Sequence, residues 1–328
     1  MKAVVCTEYG SPDVLQFKEV AKPVPKEGEA LVQVHATSLN ASDLESLRGE
    51  FVVRMTAPRK PKHKILGSDI AGRIEAVGRN VKQFRPGDEI WGDLSFPLSY
   101  GAFAEYVCIP ESTLRLKPAS MTFEQAAAVP TAGVVALQKL RCKGPIRPGQ
   151  TVLINGAGGG VGTFAVQLAK LYGAEVTAVD GAIKLDMLRS LGADHVIDYR
   201  QEDFTHNGQR YDLILDIVAH RSIFETRRAL SPEGTYVPVG GSTAVVFQAL
   251  LLGPLISRIG SRKVAIGEWK PNDTGDLALL TELFEAGKVA PVVDKSYPLS
   301  ELPEAMRYLA EGHALGKVVI AIENDQPH

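Results

Sequence analysis

The feature that most constrains the fold of this chain is residues 151–170, TVLINGAGGGVGTFAVQLAK, where a strand-like run leads into a glycine-rich turn and an amphipathic helix. Glycines let the backbone turn sharply and approach a pyrophosphate, and the start of the helix offers free N–H groups and the positive end of its dipole. A second predicted strand ends at Asp180, eighteen residues after Gly162 (180 − 162). The segment therefore predicts the first βαβ unit of a dinucleotide-binding domain.

The residues of this turn are the predicted phosphate contacts. The three special positions of the fingerprint are Ala157, Gly159 and Gly162, with alanine in place of the first glycine. The predicted contacts are Ala157, Gly158, Gly159, Gly160, Val161 and Gly162. Asp180 is placed to accept hydrogen bonds from the ribose hydroxyls, which favours NADH, whereas Lys184 is placed to reach a 2′-phosphate, which favours NADPH. Both cofactors stay open at this point.

The rest of the chain divides by its pattern of strands and helices. Strands and helices alternate from 151 to about 240, which predicts a parallel sheet covered on both faces. Before residue 122, short predicted strands at 3–6, 16–19, 30–38, 69–77 and 105–109 are separated by turn residues, as in an irregular β-barrel. Thr122 is a predicted helix N-cap. The basic stretch 54–64 predicts a solvated loop, and the apolar stretch 245–256 predicts a buried helix and turn, interrupted at Gly253 and Pro254.

Charge and cysteine content limit the partners and the compartment. The chain has 36 Lys and Arg against 38 Asp and Glu, so no overall field would draw it to nucleic acid or an anionic membrane. Its three cysteines form no CxxC pair, which fits a reducing compartment. The first ten residues lack a signal-peptide core, and no run approaches the roughly 20 apolar residues of a membrane helix. We therefore predict a cytoplasmic protein that acts on a small molecule.

Motifs along the whole chain resemble those of the medium-chain dehydrogenase/reductases, in the branch of quinone oxidoreductases, alkenal/enone reductases and reticulon-4-interacting-protein-like proteins. They include KAVVCTEYGSPDVL, LGSDIAGRIEAVGRNVKQFRPGDEIWG, GAFAEYV, AAAVPTAGVVALQ, SLGADHVIDY, YDLILDIV and GKVVI. The resemblance implies an α/β fold with a GroES-like β-barrel catalytic domain over 1–122, completed by 271–328. A Rossmann doubly wound parallel sheet domain would span 123–270, with the active site in the cleft between the domains. It also implies a homodimer that pairs through 263–268.

The sequence departs from the zinc-dependent members of this group. Those members carry Cys two residues before a Ser or Thr, a Gly-His-Glu motif and a third ligand near the domain junction. This chain has Asn40 before Ser42, then Ser68 and Asp69 after Gly67, and no Cys or His between 108 and 142. A catalytic zinc needs about three soft or imidazole ligands. We therefore predict no metal, and hydride transfer from NADPH to a quinone or α,β-unsaturated carbonyl, with NADH not excluded.

The resemblance also implies individual site residues. Asn40, Ser42 and Tyr100 are the predicted catalytic residues, as hydrogen-bond donors to the oxygen that gains negative charge. Alternatively, Asn40 caps a helix, Ser42 is an ordinary first-turn residue and Tyr100 only packs. The further cofactor contacts that the resemblance implies are Thr131, Gly133, Tyr199, Val218, Gly240, Gly241, Ser242 and Lys317.

Two other functions remain open from the sequence. One is an alcohol or aldehyde dehydrogenase that has lost its zinc. The other is a non-catalytic NADPH-binding protein with a structural or regulatory role. Metal content and oxidation of simple alcohols would identify the first, and cofactor binding without turnover would identify the second.

Overall fold

The computed structural model describes residues 1–95 and 101–323, which form fifteen β-strands and ten α-helices. The strands are β1 (Lys2–Val5), β2 (Gln16–Glu19), β3 (Glu29–Ser38), β4 (Asp69–Val77), β5 (Glu89–Asp93), β6 (Tyr106–Pro110), β7 (Leu114–Leu116), β8 (Thr151–Asn155), β9 (Glu175–Asp180), β10 (His195–Asp198), β11 (Tyr211–Asp216), β12 (Leu230–Pro238), β13 (Lys263–Val264), β14 (Val293–Pro298) and β15 (Lys317–Ala321). The α-helices are α1 (Ala41–Arg48), α2 (Phe51–Thr56), α3 (Phe123–Ala127), α4 (Pro130–Leu140), α5 (Gly160–Leu171), α6 (Leu185–Ser190), α7 (Ile223–Thr226), α8 (Thr243–Ile259), α9 (Thr274–Glu285) and α10 (Leu302–Ala310).

The chain forms two compact units. Unit 1 comprises Met1–Ala132, Pro271–Leu277 and Pro291–His328, and unit 2 comprises Gly133–Lys270 and Ala278–Ala290. The units divide at 132/133 rather than at the predicted 122/123 because α3 packs on β3 and β4 of unit 1. Residues 278–290 belong to unit 2, where the side chain of Gln167 exchanges two 2.9 Å hydrogen bonds with the backbone of Ala290.

Unit 2 contains the predicted doubly wound sheet. Its six strands are all parallel, in the order β10-β9-β8-β11-β12-β13. Successive residues Val152, Leu153 and Ile154 of the central strand β8 are all fully buried. Such a continuous apolar run is typical of a parallel strand that is covered on both faces. The carboxyl ends of β8, β9 and β11 therefore lie at one edge of the sheet, where α/β proteins bind ligands.

Unit 1 contains a seven-stranded sheet and the short hairpin β1-β2. The order is β14-β15-β3-β4-β5-β7, with β6 paired to β3, and fully buried residues from β3, β4, β5 and β15 share one core. The strand register sets Ser38 of β3 opposite Asp69 of β4, and Asp69 opposite Asp93 of β5. Val319 of β15 pairs with Ser38 from the other side. This register gathers polar side chains at one end of the sheet.

Two predicted segments differ in the structure. Helix α8 runs without interruption through Pro254, and one face exposes apolar side chains, with Leu251 74% and Ile259 80% accessible. The prediction of a buried helix with a turn was therefore wrong. Pro254 is itself exposed, so water can reach the backbone carbonyl that the proline leaves unpaired. Residues 54–56 belong to α2, and the rest of the basic stretch is loop, as predicted. Among the described residues, every helix is too short or too polar to cross a bilayer.

Candidate functional site

A buried polar cluster in unit 1 is centred on Asp69, the first residue of β4. The Asp69 side chain is fully buried, and its Oδ2 accepts hydrogen bonds from the Ser38 hydroxyl (3.0 Å) and the Asn40 amide (2.9 Å). Its Oδ1 accepts from the backbone N–H (3.0 Å) and the hydroxyl (2.7 Å) of Thr131. These donors satisfy a carboxylate that has no access to water. We call Ser38, Asn40, Asp69, Thr131 and Lys317 the Asp69 cluster.

Lys317, the first residue of β15, supplies the cation of this cluster. It is 2% exposed, and its ammonium donates to Asn40 Oδ1 (2.7 Å), the Leu39 carbonyl (2.9 Å) and Asp69 Oδ2 (3.2 Å). An ammonium tolerates such burial only when it is paired and hydrogen-bonded. All three donors are therefore occupied inside unit 1. This arrangement does not fit the predicted contact between Lys317 and a cofactor phosphate.

The structure separates the roles of the two polar residues at the start of α1. Asn40 occupies the N-cap position of α1, and its amide nitrogen also donates to Ser68 Oγ (3.3 Å). With Asp69 and Lys317 as its other partners, the Asn40 side chain has no donor left for a substrate, so the predicted catalytic role does not fit. Ser42 is exposed in the first turn, and its hydroxyl has no partner among the described residues. Tyr100 lies outside the described residues.

Two further buried carboxyl groups flank the cluster, and the sequence prediction missed both. Asp43 accepts a hydrogen bond from the backbone N–H of Asn40 (2.8 Å), and burial raises the pKa of its carboxyl to about 7, with the charge of Asp69 adding to the shift. Burial and the same charge raise the pKa of Asp93 to about 6. One oxygen of each carboxyl group has no hydrogen-bond partner among the described residues. Both groups therefore change protonation near neutral pH.

The cluster does not fit a zinc ion. Within residues 1–95 and 101–323, no group of three His, Cys, Asp or Glu side chains is arranged to hold a metal. The zinc-binding motifs of the zinc-dependent members have Asn40 here in place of Cys, and Ser68 and Asp69 in place of His and Glu, and a lysine ammonium already contacts Asn40 and Asp69. A catalytic zinc needs about three thiolate or imidazole ligands, which this set does not supply.

The glycine turn of unit 2, residues 156–162, has the geometry of a phosphate-binding loop. Helix α5 begins at Gly160 with Gly159 as its N-cap, so its free N–H groups face the end of β8. A Cβ atom at Gly162 would collide with the carbonyl oxygens of Gly156 and Ala157. Gly156 itself has φ +80°, a left-handed conformation that glycine adopts without strain. The predicted phosphate contacts Gly158 and Val161 belong to the same turn, and their contact with a phosphate stays a prediction.

Asp180 and Lys184 lie directly against this turn. Asp180 accepts hydrogen bonds from the backbone N–H groups of Gly158 (2.7 Å) and Gly181 (2.8 Å). The Lys184 ammonium is 3.6 Å from Asp180 Oδ1, and both side chains are largely buried. Asp180 therefore stabilises the glycine turn, and the Lys184 ammonium offsets the negative charge of Asp180.

Tyr199 and Arg200 follow β10 at the same edge, since the parallel register pairs Asp198 with Asp180. Both side chains are exposed, and the Arg200 guanidinium lies 5.5 Å from the centre of the Tyr199 ring. Arg200 was not among the predicted site residues. Its position directly after the VIDY motif, at the end of a strand, is the signal that points to it.

The remaining predicted cofactor residues lie on neighbouring segments. Val218 is exposed after β11, and Gly241 (φ +91°) forms a backbone bridge with Ala219. Gly240 precedes that bridge, and Ser242 occupies the N-cap position of α8. Gly133 is in α4, which begins at Pro130. The contacts of these residues with a cofactor stay predictions.

A buried group that the sequence prediction missed supports the carboxyl edge of the unit 2 sheet. Asp216, at the end of β11, accepts hydrogen bonds from the Asn155 amide (2.8 Å) and the Tyr236 hydroxyl (3.0 Å). Burial raises the pKa of Asp216. Because Asn155 directly precedes the glycine turn, this contact holds the end of β8 against β11.

Comparison with known proteins agrees with this architecture. The family description "Alcohol dehydrogenase GroES-like domain" matches residues 26–119, and "Zinc-binding dehydrogenase" matches residues 191–320. The 2-methylene-furan-3-one reductase of Solanum lycopersicum is 36% identical over 98% of this chain and 79% of its own length. The chloroplastic NADPH-dependent alkenal/one oxidoreductase of Arabidopsis thaliana is 33% identical over 98% of this chain and 79% of its own. The structure of a quinone oxidoreductase from Coxiella burnetii matches with a TM-score of 0.87 and 29% identity, covering 98% of this chain and 99% of that one.

These relatives contradict the predicted cytoplasmic localisation. The NAD(P)H oxidoreductase RTN4IP1 of Danio rerio, 32% identical over 99% of this chain and 92% of its own length, is named as mitochondrial. Other relatives are named as chloroplastic. The prediction was wrong because scattered cysteines indicate only a reducing environment, which the cytosol shares with the interior of these organelles.

The fold, the glycine turn and the similarity over 98% of this chain all indicate the same family. The chain belongs to the medium-chain dehydrogenase/reductase superfamily, in the group of NAD(P)H-dependent quinone and alkenal/enone oxidoreductases.

Proposed function

We propose that this protein reduces quinones or α,β-unsaturated carbonyl compounds with NADPH, and that it does so without zinc. The observation that carries the proposal is the Asp69 cluster, in which the Lys317 ammonium contacts Asn40, which stands where zinc-dependent members have a Cys ligand, and Asp69 of the Gly-Ser-Asp segment. An acceptor activated by conjugation takes hydride at carbon and develops negative charge on oxygen, which hydrogen-bond donors can stabilise without a metal ion. Alcohol oxidation depends more strongly on a metal that holds an alkoxide.

We propose NADPH as the cofactor, bound by unit 2, where it supplies the hydride. Lys184 offsets the charge of Asp180, and both oxygens of Asp180 already accept backbone N–H groups, which weakens repulsion of a 2′-phosphate. Arg200 adds an exposed cation at the same strand ends. A mycobacterial structure complexed with NADPH matches this chain with a TM-score of 0.83 and 25% identity.

We propose Ser42 as the side chain that donates to the acceptor oxygen. Its hydroxyl is exposed in the first turn of α1 and is free of other partners among the described residues. Asp43, the next residue, is fully buried and its carboxyl group accepts from the backbone N–H of Asn40, which leaves Ser42 as the exposed polar side chain of this turn.

The test is steady-state reduction of 9,10-phenanthrenequinone and of short enones, each with NADPH and NADH. We expect turnover with NADPH, no oxidation of simple alcohols, and no change after treatment with a zinc chelator. One tightly bound zinc per chain, or chelator-sensitive alcohol oxidation, would contradict the proposal. Binding of NADPH without reduction of any acceptor would support the non-catalytic alternative instead.

We also propose a homodimer that pairs through the edge of the unit 2 sheet. Within the described chain, β13 pairs only with β12, and the adjacent helix α8 exposes an apolar face. An unpaired strand edge beside exposed apolar side chains is suited to pair with a second copy. Light scattering should give twice the 35.3 kDa chain mass. The Leu251→Glu variant should shift this mass towards that of the monomer, and a monomeric wild-type protein would refute the proposal.

A further inference from the structure

We propose that Lys317 is a positioning residue for the reduction, whose ammonium acts as a fixed internal cation between Asn40 and Asp69. It acts through Asn40 and Asp69 on the first turn of α1, which carries Ser42. This inference rests on the proposed reductase function and assigns a role to a residue that the resemblance linked to cofactor phosphate.

The geometry gives the ammonium a defined place. Lys317 is 277 residues away from Asn40 and 248 away from Asp69 along the chain, yet its nitrogen is 2.7 Å and 3.2 Å from their oxygens. The third contact, to the Leu39 carbonyl, lies directly before α1. The cation therefore connects the start of β15, the start of β4 and the two residues that lead into α1.

The buried carboxyl groups around Lys317 favour a positive charge at this place. Asp43, Asp69 and Asp93 place three buried carboxyl groups around the cluster. The positive charge of Lys317 also acts on Asp43, where it lowers the pKa against the effect of burial. A buried carboxylate that loses its partner is strongly destabilising, whereas loss of both partners is often tolerated. Replacement of Lys317 should therefore disturb the segment around Asn40 much more than a surface substitution does.

Displacement of the segment around Asn40 should lower the rate of the chemical step. Ser42 is two residues after Asn40, in the first turn of α1. A shift of about 1 Å in a reacting group can cost on the order of 100-fold in rate. Because the three donors of Lys317 are occupied within unit 1, its removal should leave cofactor binding unchanged.

The main experiment compares Lys317→Met with the exposed control Lys18→Met. We expect Lys317→Met to lower kcat by about 10- to 100-fold with a dissociation constant for NADPH, measured by fluorescence, within about twofold of wild type. The control should match wild type in both quantities. An unchanged kcat would overturn the proposal. So would weaker NADPH binding with a normal kcat, because that result would identify Lys317 as a phosphate contact.

Chemical rescue separates the charge from the shape of the side chain. Propylammonium has the three carbons and the nitrogen that Lys317→Ala removes, and 1-propanol is a neutral analogue of similar size. We expect propylammonium to restore part of the kcat of Lys317→Ala in a saturable manner, and 1-propanol to have no effect. Equal rescue by both compounds would show that only packing matters and would overturn the role as a cation.

A double-mutant cycle measures how strongly the interaction between Lys317 and Asp69 contributes to stability. Lys317→Met and Asp69→Asn should each lower the melting temperature, and the double variant should lose less than the sum of the two. Additive losses would overturn the pairing. Wild-type protein that reduces no acceptor would overturn the proposed function, whereas active wild type with an unaffected Lys317→Met variant overturns only this inference.

Discussion

The glycine turn of unit 2 and the Asp69 cluster of unit 1 both lie at strand ends, but the sequence encodes them in different ways. The turn is one continuous stretch, residues 156–162, fastened by Asp180 of the neighbouring strand. The cluster is assembled from segments up to 277 residues apart. A continuous motif carries its geometry in local backbone preferences, whereas a dispersed cluster exists only after the strands have paired. Substitutions should therefore affect the two sites differently.

The largest effect is expected in the turn. In Gly162→Val the new side chain meets the carbonyl oxygens of Gly156 and Ala157, so the turn cannot keep its shape. Binding of NADPH should be lost, by about 100-fold or more, and the melting temperature should fall. At the matched control Gly159→Ala, the nearest atom to the new Cβ is 3.8 Å away, so this variant should keep its stability and lose affinity only if the phosphates approach the backbone there. Normal NADPH binding by Gly162→Val, measured by fluorescence, would refute this account.

The second effect concerns the centre of the cluster. Asp69→Leu leaves the Lys317 ammonium buried without its carboxylate, which should cost about 3–5 kcal/mol in the free energy of unfolding. The exposed control Asp186→Leu, whose carboxylate pairs with Arg189 on the surface of α6, should cost at most about 1 kcal/mol. Urea denaturation measures both. Equal losses would mean that burial of the pair adds nothing to stability.

The third effect separates catalysis from structure within the cluster region. Ser42→Ala should lower kcat by about 10- to 1000-fold with unchanged NADPH affinity, following the loss of one oxyanion donor. Asn40→Ala should reduce stability as well as kcat, because its side chain has only internal partners and connects Lys317 to the first turn of α1. Steady-state kinetics and thermal denaturation of both variants test this division. Normal turnover by Ser42→Ala would leave backbone amides as the donors.

The fourth effect is a pH dependence specific to unit 1. Burial raises the pKa of Asp43 to about 7 in the folded protein, above roughly 3.9 for an unfolded chain. The unfolded state therefore loses its proton first, and this group destabilises the fold progressively as pH rises from about 4 to 7. Asp43→Asn removes this dependence, so the difference in melting temperature between variant and wild type should shift in favour of the variant with rising pH. A constant difference from pH 4.5 to 8 would contradict the raised pKa.

The smallest effect is expected at the ribose end of the turn. Asp180→Ser should raise the affinity for NADPH relative to NADH by about three- to tenfold, less than for an isolated carboxylate, because Lys184 already offsets its charge. Competition between 2′,5′-ADP and 5′-AMP provides a readout without turnover. An unchanged ratio would show that Asp180 serves only to fasten Gly158 and Gly181.

Local signals predicted most of the secondary structure. Predicted strands 16–19, 69–77 and 151–155 coincide with those of the structure. Thr122 caps α3 as expected, with its hydroxyl accepting from the backbone N–H of Gln125 (3.1 Å). Helix α8 was mispredicted because apolar residues around Pro254 suggested burial, whereas the tertiary structure leaves one face of that helix uncovered. Periodicity identifies an apolar segment but does not identify what covers it.

The sequence by itself determined the family, the two folding patterns and the glycine turn, because each depends on neighbouring residues or on motifs of fixed spacing. Only the tertiary structure decided that the Asn40 amide and the Lys317 ammonium point into the protein. Their orientation follows from the register of β3, β4 and β15, which places Asp69 between them. A buried carboxylate is hydrogen-bonded by the donors around it, since burial keeps water from competing. Asn40 and Lys317, which the motifs assign to substrate and cofactor, are therefore hydrogen-bonded to each other and to Asp69.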